Sequence, residues 1–171
     1  MRRLRVFALV ILILILALWG IIRLLGPQEA EVVVYWASVD GQWLVPVSMT
    51  LPDADPQTLV AVLMAGPEES ELMATFPPGT AAPAVRLEDG LAYVDFKADL
   101  LKTSLGGSTG ELLAVYSLVN TLTQLPQVAA VQILVEGEVV DSLFGHVDVS
   151  SPLVADPSLV LGYEVENDEP Y

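Results

Sequence analysis

The amino-acid sequence predicts an α+β fold: a two-layer sandwich of one mixed or antiparallel sheet with two helices on one face, preceded by a transmembrane helix. Three observations carry this. After an apolar N-terminal stretch the chain reads hairpin, helix, hairpin, helix, hairpin, each with its own turn or cap signal. The N-terminal stretch is long enough and uncharged enough to span a bilayer. The remainder is long enough to bury one core without disulfides, and the chain has no cysteine.

The N-terminal stretch comes first. Residues 6–22 carry no charge, and extending to residue 25 gives about 30 Å of helix, the thickness of a bilayer core. Arg2, Arg3 and Arg5 precede it, Trp19 and Arg23 lie near its end, and these five are the expected membrane-interface residues. The arginine cluster predicts a cytoplasmic N-terminus (1–5), a single-pass anchor in the cell membrane (6–25) and an extracytoplasmic remainder. No small-residue cleavage site ends the stretch, which favours a retained anchor over a cleaved leader. Residues 26–31 read as a linker, 32–153 as the α/β domain and 154–171 as an acidic tail.

In the domain, residues 32–38 and 43–51 are β-rich and flank Asp40-Gly41, a tight-turn dipeptide. Asp55 followed by Pro56 starts the first helix, and Gly66-Pro67 stops it. Asp89-Gly90 joins strands at 85–88 and 91–96. Ser108 and Glu111 have the spacing of a capping box, and the helix that follows carries one apolar stripe of Leu112, Val115, Tyr116, Val119 and Leu122. Ser117, Asn120, Thr121 and Gln124 are expected on its outer surface. Val131, Ile133 and Val135 alternate as a strand, and Glu136-Gly137 turns it back towards Val139 and Val140.

Charge narrows the partners. Four of the seven basic residues lie within the first 25 residues, and the rest of the chain holds Arg86, Lys97 and Lys102 against all 22 acids, a balance of −19. Nucleic acid is excluded, because its binding depends on basic side chains displacing counterions. No G-x-S-x-G, P-loop or H-E-x-x-H sequence occurs. His146 is the lone histidine, with Asp148 two residues on, and reads as a loop residue before it reads as a general base. Asp53 and Asp55 have a D-x-D spacing without the rest of a calcium loop, and Asp95 fits strand alternation. No catalytic residue, cofactor or metal ligand is assigned. Tyr35, Trp36 and Trp43 flank the first turn and are the candidate interaction surface if they share an exposed face; otherwise they are core and strand-pair residues.

Several segments, in order, carry a family resemblance: Leu44-Val45-Pro46-Val47, Leu63-Met64-Ala65-Gly66-Pro67, Phe76-Pro77-Pro78-Gly79-Thr80, Asp89-Gly90 with Val94-Asp95, Leu118-Val119-Asn120-Thr121-Leu122-Thr123-Gln124, and 131–137. Over 32–153 the chain resembles the GerMN domain family of sporulation and spore germination proteins. The resemblance implies a fold like the ring-building motifs of secretion-type assemblies, no catalytic motif, and a role in protein–protein contact. The expected function is therefore a membrane-anchored extracytoplasmic interaction or assembly module of the cell envelope, linked to sporulation or germination. Its expected partners are envelope proteins or further copies of itself. The alternatives are a wall-polymer-binding or carboxylate-based wall-active enzyme and a calcium-dependent binding domain.

Overall fold

A computed structural model describes residues 11–12, 14–19, 29–103 and 107–163. Strands β1 (Ala30–Ser38) and β2 (Leu44–Leu51) form the first hairpin, antiparallel from Ala30↔Leu51 to Ala37↔Leu44. Asp40 closes its turn by accepting from the Ser38 hydroxyl and the Gln42 amide, and Gly41 supplies a φ of 65°. Helix α1 (Pro56–Ala65) is capped by Asp55, which accepts from the amides of Gln57 (2.8 Å) and Thr58 (3.1 Å). A two-residue strand β3 (Leu72–Met73) returns to pair with Ala37 and Ser38 on the side of β1 away from β2.

Strands β4 (Ala84–Glu88) and β5 (Leu91–Phe96) form the second hairpin, with Asp89 and Gly90 both at positive φ, as a two-residue turn of the primed type requires. A 3₁₀ turn (Ala98–Lys102) leads towards helix α2 (Ser108–Thr123), and strand β6 (Ala130–Val135) follows. Strand β7 (Glu138–Val139) folds back on β6.

Two features correct the expected fold class. The strands form two sheets rather than one, a three-stranded sheet in the order β2-β1-β3 and a four-stranded sheet in the order β4-β5-β6-β7. In the second, β6 runs parallel to β5, so β5-α2-β6 is a crossover unit rather than a chain of hairpins. A parallel pair needs a long connection, and α2 supplies it. The helix packs on β6 of one sheet and on β1 of the other, and ten of its sixteen residues are buried. The outward face expected for Ser117, Asn120 and Thr121 is therefore inside the protein. One core joins both sheets, built from Val32, Val34 and Trp36 of β1, Leu59 and Leu63 of α1, Val94 and Phe96 of β5, Leu118 and Leu122 of α2, and Ile133 of β6.

The expected transmembrane helix is corrected as well: among the described residues no helix is long and apolar enough to cross a membrane. Of the 6–25 stretch, residues 11–12 and 14–19 are described, helical and exposed, Trp19 among them. The rest, with Arg2, Arg3, Arg5 and Arg23, lies outside the described residues. Residues 154–163, at the start of the expected acidic tail, include a 3₁₀ turn (Pro157–Leu159) and a bridge from Val160 to Leu44 of β2. Residues 164–171 lie outside the described residues.

Candidate interaction surface and the buried polar clamps

The three aromatic residues singled out by sequence do not share a face. Strand alternation sends Trp36, only 2% exposed, into the main core, where its indole N–H donates to the Leu63 carbonyl at the end of α1 (3.4 Å). Tyr35 points to the opposite side and packs half-buried against a small cluster of Ala37, Leu44 and Leu113, where burial pushes its hydroxyl pKa up. Trp43, in the turn, is 40% exposed.

Trp43 instead has other company. Val39 stands in the same turn, Met73 of β3 pairs with Ala37, and the Leu161 amide donates to the Leu44 carbonyl (2.8 Å) with Tyr163 just beyond. All of these, Val39, Trp43, Met73, Leu161 and Tyr163, are exposed, and the strand pairing puts them at one end of the three-stranded sheet. Sequence reading missed four of the five. Val39 was legible from its place in a turn; Met73 and Leu161 depend on long-range pairing that no local pattern reports.

The polar residues of α2 do different work. The free side of β1 would expose the main-chain groups of Val33 and Tyr35. Gln124 accepts from the Val33 amide (2.6 Å) and donates to the Val33 carbonyl, while the Thr121 hydroxyl accepts from the Tyr35 amide (3.2 Å). The Thr-Leu-Thr-Gln helix end thus stands in for a neighbouring strand. One turn back, Asn120 makes the same reciprocal pair with Asp156, donating to its carbonyl (3.1 Å) and accepting from its amide (2.9 Å).

Glu111 sits at the other end of α2, fully buried. It does not complete a capping box: Gly107 occupies the N-cap with no side-chain bond, and the carboxylate turns instead to the loop after β7. One oxygen accepts from the amides of Leu143 (3.1 Å) and Phe144 (2.9 Å); the other accepts from the His146 amide (2.8 Å) and lies 3.1 Å from its ring Nδ1. Burial raises the pKa of this carboxyl, but the Phe144 and His146 amides, the His146 ring and the Val147 amide outweigh it and hold the group below the usual glutamate range. His146 is thereby a partner of Glu111, and Asp148, expected beside it, bonds Ser150 (2.9 Å to the amide). Asp95 accepts from the Gly137 amide (2.9 Å), and Asp55 is the α1 cap. Among the described residues no group of three or more histidine or acidic side chains could hold a metal ion.

Two sheets packed about a buried crossover helix define a class of small α+β domain in which polar helix residues close a strand edge. Residues 33–141, more than half of the chain, match the Germane family of sporulation and spore germination, and the protein belongs to that family. The fold is similar to the tandem GerMN domains of the sporulation protein GerM from Bacillus subtilis, at 20% identity and a TM-score of 0.61 over 74% of this chain and 46% of that one. It is similar to the first GerMN domain of the same protein, at 20% identity and a TM-score of 0.60 over 74% of this chain and 97% of that one. A crystal structure from Clostridium perfringens is also similar, at 22% identity and a TM-score of 0.54 over 79% of this chain and 95% of that one. The chain thus spans under half the length of the tandem structure. No curated protein matches it.

Proposed function

We propose that the protein is an interaction module of sporulation or germination machinery in the cell envelope, a binding domain rather than an enzyme, and that the Trp43 end of its three-stranded sheet is the contact surface. The observation that carries this is that five of the nine exposed large apolar side chains among the described residues of 29–163, Val39, Trp43, Met73, Leu161 and Tyr163, stand at one end of the three-stranded sheet, while Leu87, Leu101, Val139 and Val154 lie apart from it in the sequence. Apolar side chains scattered singly need no explanation; five converging on one end do. Family membership supports the process, and the −19 balance turns the reading away from nucleic acid and anionic lipid.

Photo-crosslinking in intact cells tests it, with a crosslinker placed at position 43 and, as control, at exposed Leu87 on β4. A discrete adduct with another protein or a second copy is expected from position 43 and not from 87. No adduct from 43, or equal adducts from both, would overturn the surface assignment.

A further inference from the structure

The three-stranded sheet has a second edge, and it is open. The pairing Val33↔Ser48 and Tyr35↔Pro46 is decisive, because the main-chain groups of Val33 and Tyr35 point away from β2 to Gln124 and Thr121. In an antiparallel pair the opposed residues of such positions also point away from each other. The main-chain groups of Pro46, Ser48 and Thr50 therefore face outward. Leu44 follows the same alternation, and its outward carbonyl is already taken by Leu161. Among the described residues nothing further pairs with that side of β2.

Beside this edge lies a cavity of about 450 Å³ between β2 and the end of α1, lined by Val47, Met49, Leu51 and Val62 and rimmed by Glu68 and Glu69. The three lysine and arginine residues of the domain are engaged elsewhere, Arg86 with Glu88, Lys97 with Glu136 and Lys102 with Asp99. Among the described residues no lysine or arginine pairs with Glu68 or Glu69, which are both exposed. Strand β2 itself, Leu-Val-Pro-Val-Ser-Met-Thr-Leu, carries no charge that would repel an incoming strand.

The geometry points to strand addition on β2 by an extended segment of a basic partner protein: its main chain pairs with Ser48 and Thr50, alternate apolar side chains enter the groove over Val47 and Met49, and flanking lysine or arginine meets Glu68 and Glu69. A second copy brings the same acidic rim, and residues 164–171 bring Glu164, Glu166, Asp168 and Glu169, so neither matches the charge. The site is separate from the Trp43 end, and the test below does not depend on that end binding anything.

The full chain is titrated with a nine-residue peptide alternating valine and threonine and flanked by lysines, against the same peptide flanked by glutamates, with amide hydrogen exchange as the readout. The lysine peptide is expected to slow exchange at Ser48 and Thr50 by about tenfold, and the glutamate peptide to leave it unchanged. Ser48→Pro removes one outward N–H, as Pro46 already does two residues earlier, and is expected to weaken binding roughly fivefold. The double change Glu68→Lys with Glu69→Lys, at exposed loop positions, should weaken it independently of any effect of proline on folding. Absence of protection, or affinity unmoved by both variants, overturns the proposal. So does protection already present in the free chain and lost either on dilution or on deletion of residues 164–171, which would give the edge to a second copy or to the chain's own end.

Discussion

The two sides of the β1–β2 pair are finished in opposite ways. On the β1 side the central outward groups have partners: the Val33 amide and carbonyl bond Gln124, the Tyr35 amide bonds Thr121, and Ala37 pairs with β3. On the β2 side, among the described residues, only the Leu44 carbonyl is taken, and Pro46 removes one donor rather than satisfying it. The difference follows from burial. The β1 side lies under α2, where an unpaired amide has no water and costs the full desolvation penalty; the β2 side faces solvent, where it costs little. Polar side chains are spent where water cannot reach, and what remains exposed is free to bind.

Breaking the seating of α2 should have the largest effect. Glu111→Ala strips three main-chain donors and a ring nitrogen of their shared acceptor inside the protein, and should cost about 3 kcal/mol in denaturant unfolding. Glu111→Gln should cost less and change the pH response. The folded-state pKa of Glu111 lies below its unfolded value, so its contribution is complete above about pH 4.3 and is lost as pH falls through the folded value. Acid titration of stability should therefore be shallower for Glu111→Gln than for the unaltered protein, although Asp55, lowered by the Thr58 hydroxyl and neighbouring amides, keeps some acid sensitivity in both.

Next in size is the seal itself. Gln124→Ala leaves the Val33 amide and carbonyl without their partner and should cost about 2 kcal/mol. Gln124→Glu, which keeps an acceptor but sets a carboxylate against the Val33 carbonyl, should not rescue it. If Gln124→Glu were as stable as the unaltered protein, the reciprocal pairing would be wrong. Asn120→Ala should cost about 1 kcal/mol and loosen residues 156–161, freeing the Leu44 carbonyl and so lengthening the open edge of β2. Faster exchange at the Leu161 amide would report it.

The sequence was most legible where the signal was local. Asp55-Pro56, Gly66, Asp40-Gly41 and Asp89-Gly90 act within a turn or two of themselves, and the structure uses them as their residue types require. It was least legible where a residue's partner lies far along the chain. Glu111 three residues after Ser108 looks like a capping box, but its amides are 32 to 35 residues away. Thr121 and Gln124 look like a wet helix face because a polar side chain carries the same letter whether it meets water or a strand 86 or 91 residues earlier. The same blindness hid the second sheet: β5 and β6 are each plain alternating strands, and only the path of α2 makes them parallel neighbours. The family resemblance held the information that periodicity lacked, since its Asn-Thr-Leu-Thr-Gln stretch is the pair of clamps.

The smallest expected effect sharpens the comparison most. Pro46 is exposed and faces outward on β2, so its missing N–H deprives the folded protein of no bond, and its ring restricts the unfolded chain. Pro46→Thr should therefore destabilise by only about 0.5 kcal/mol, through the unfolded state. Yet it restores a third outward donor in line with Ser48 and Thr50, and a longer uninterrupted edge is a better template for another strand. The variant should show concentration-dependent association by light scattering or sedimentation that the unaltered protein lacks at the same concentration, and Pro46→Thr combined with Ser48→Pro should abolish it. Association in Pro46→Thr that survives Ser48→Pro would mean that the new contact lies elsewhere, and that proline on β2 is not guarding the edge. Association reversed by the second proline would place Pro46 as the residue that keeps an open, uncharged strand selective.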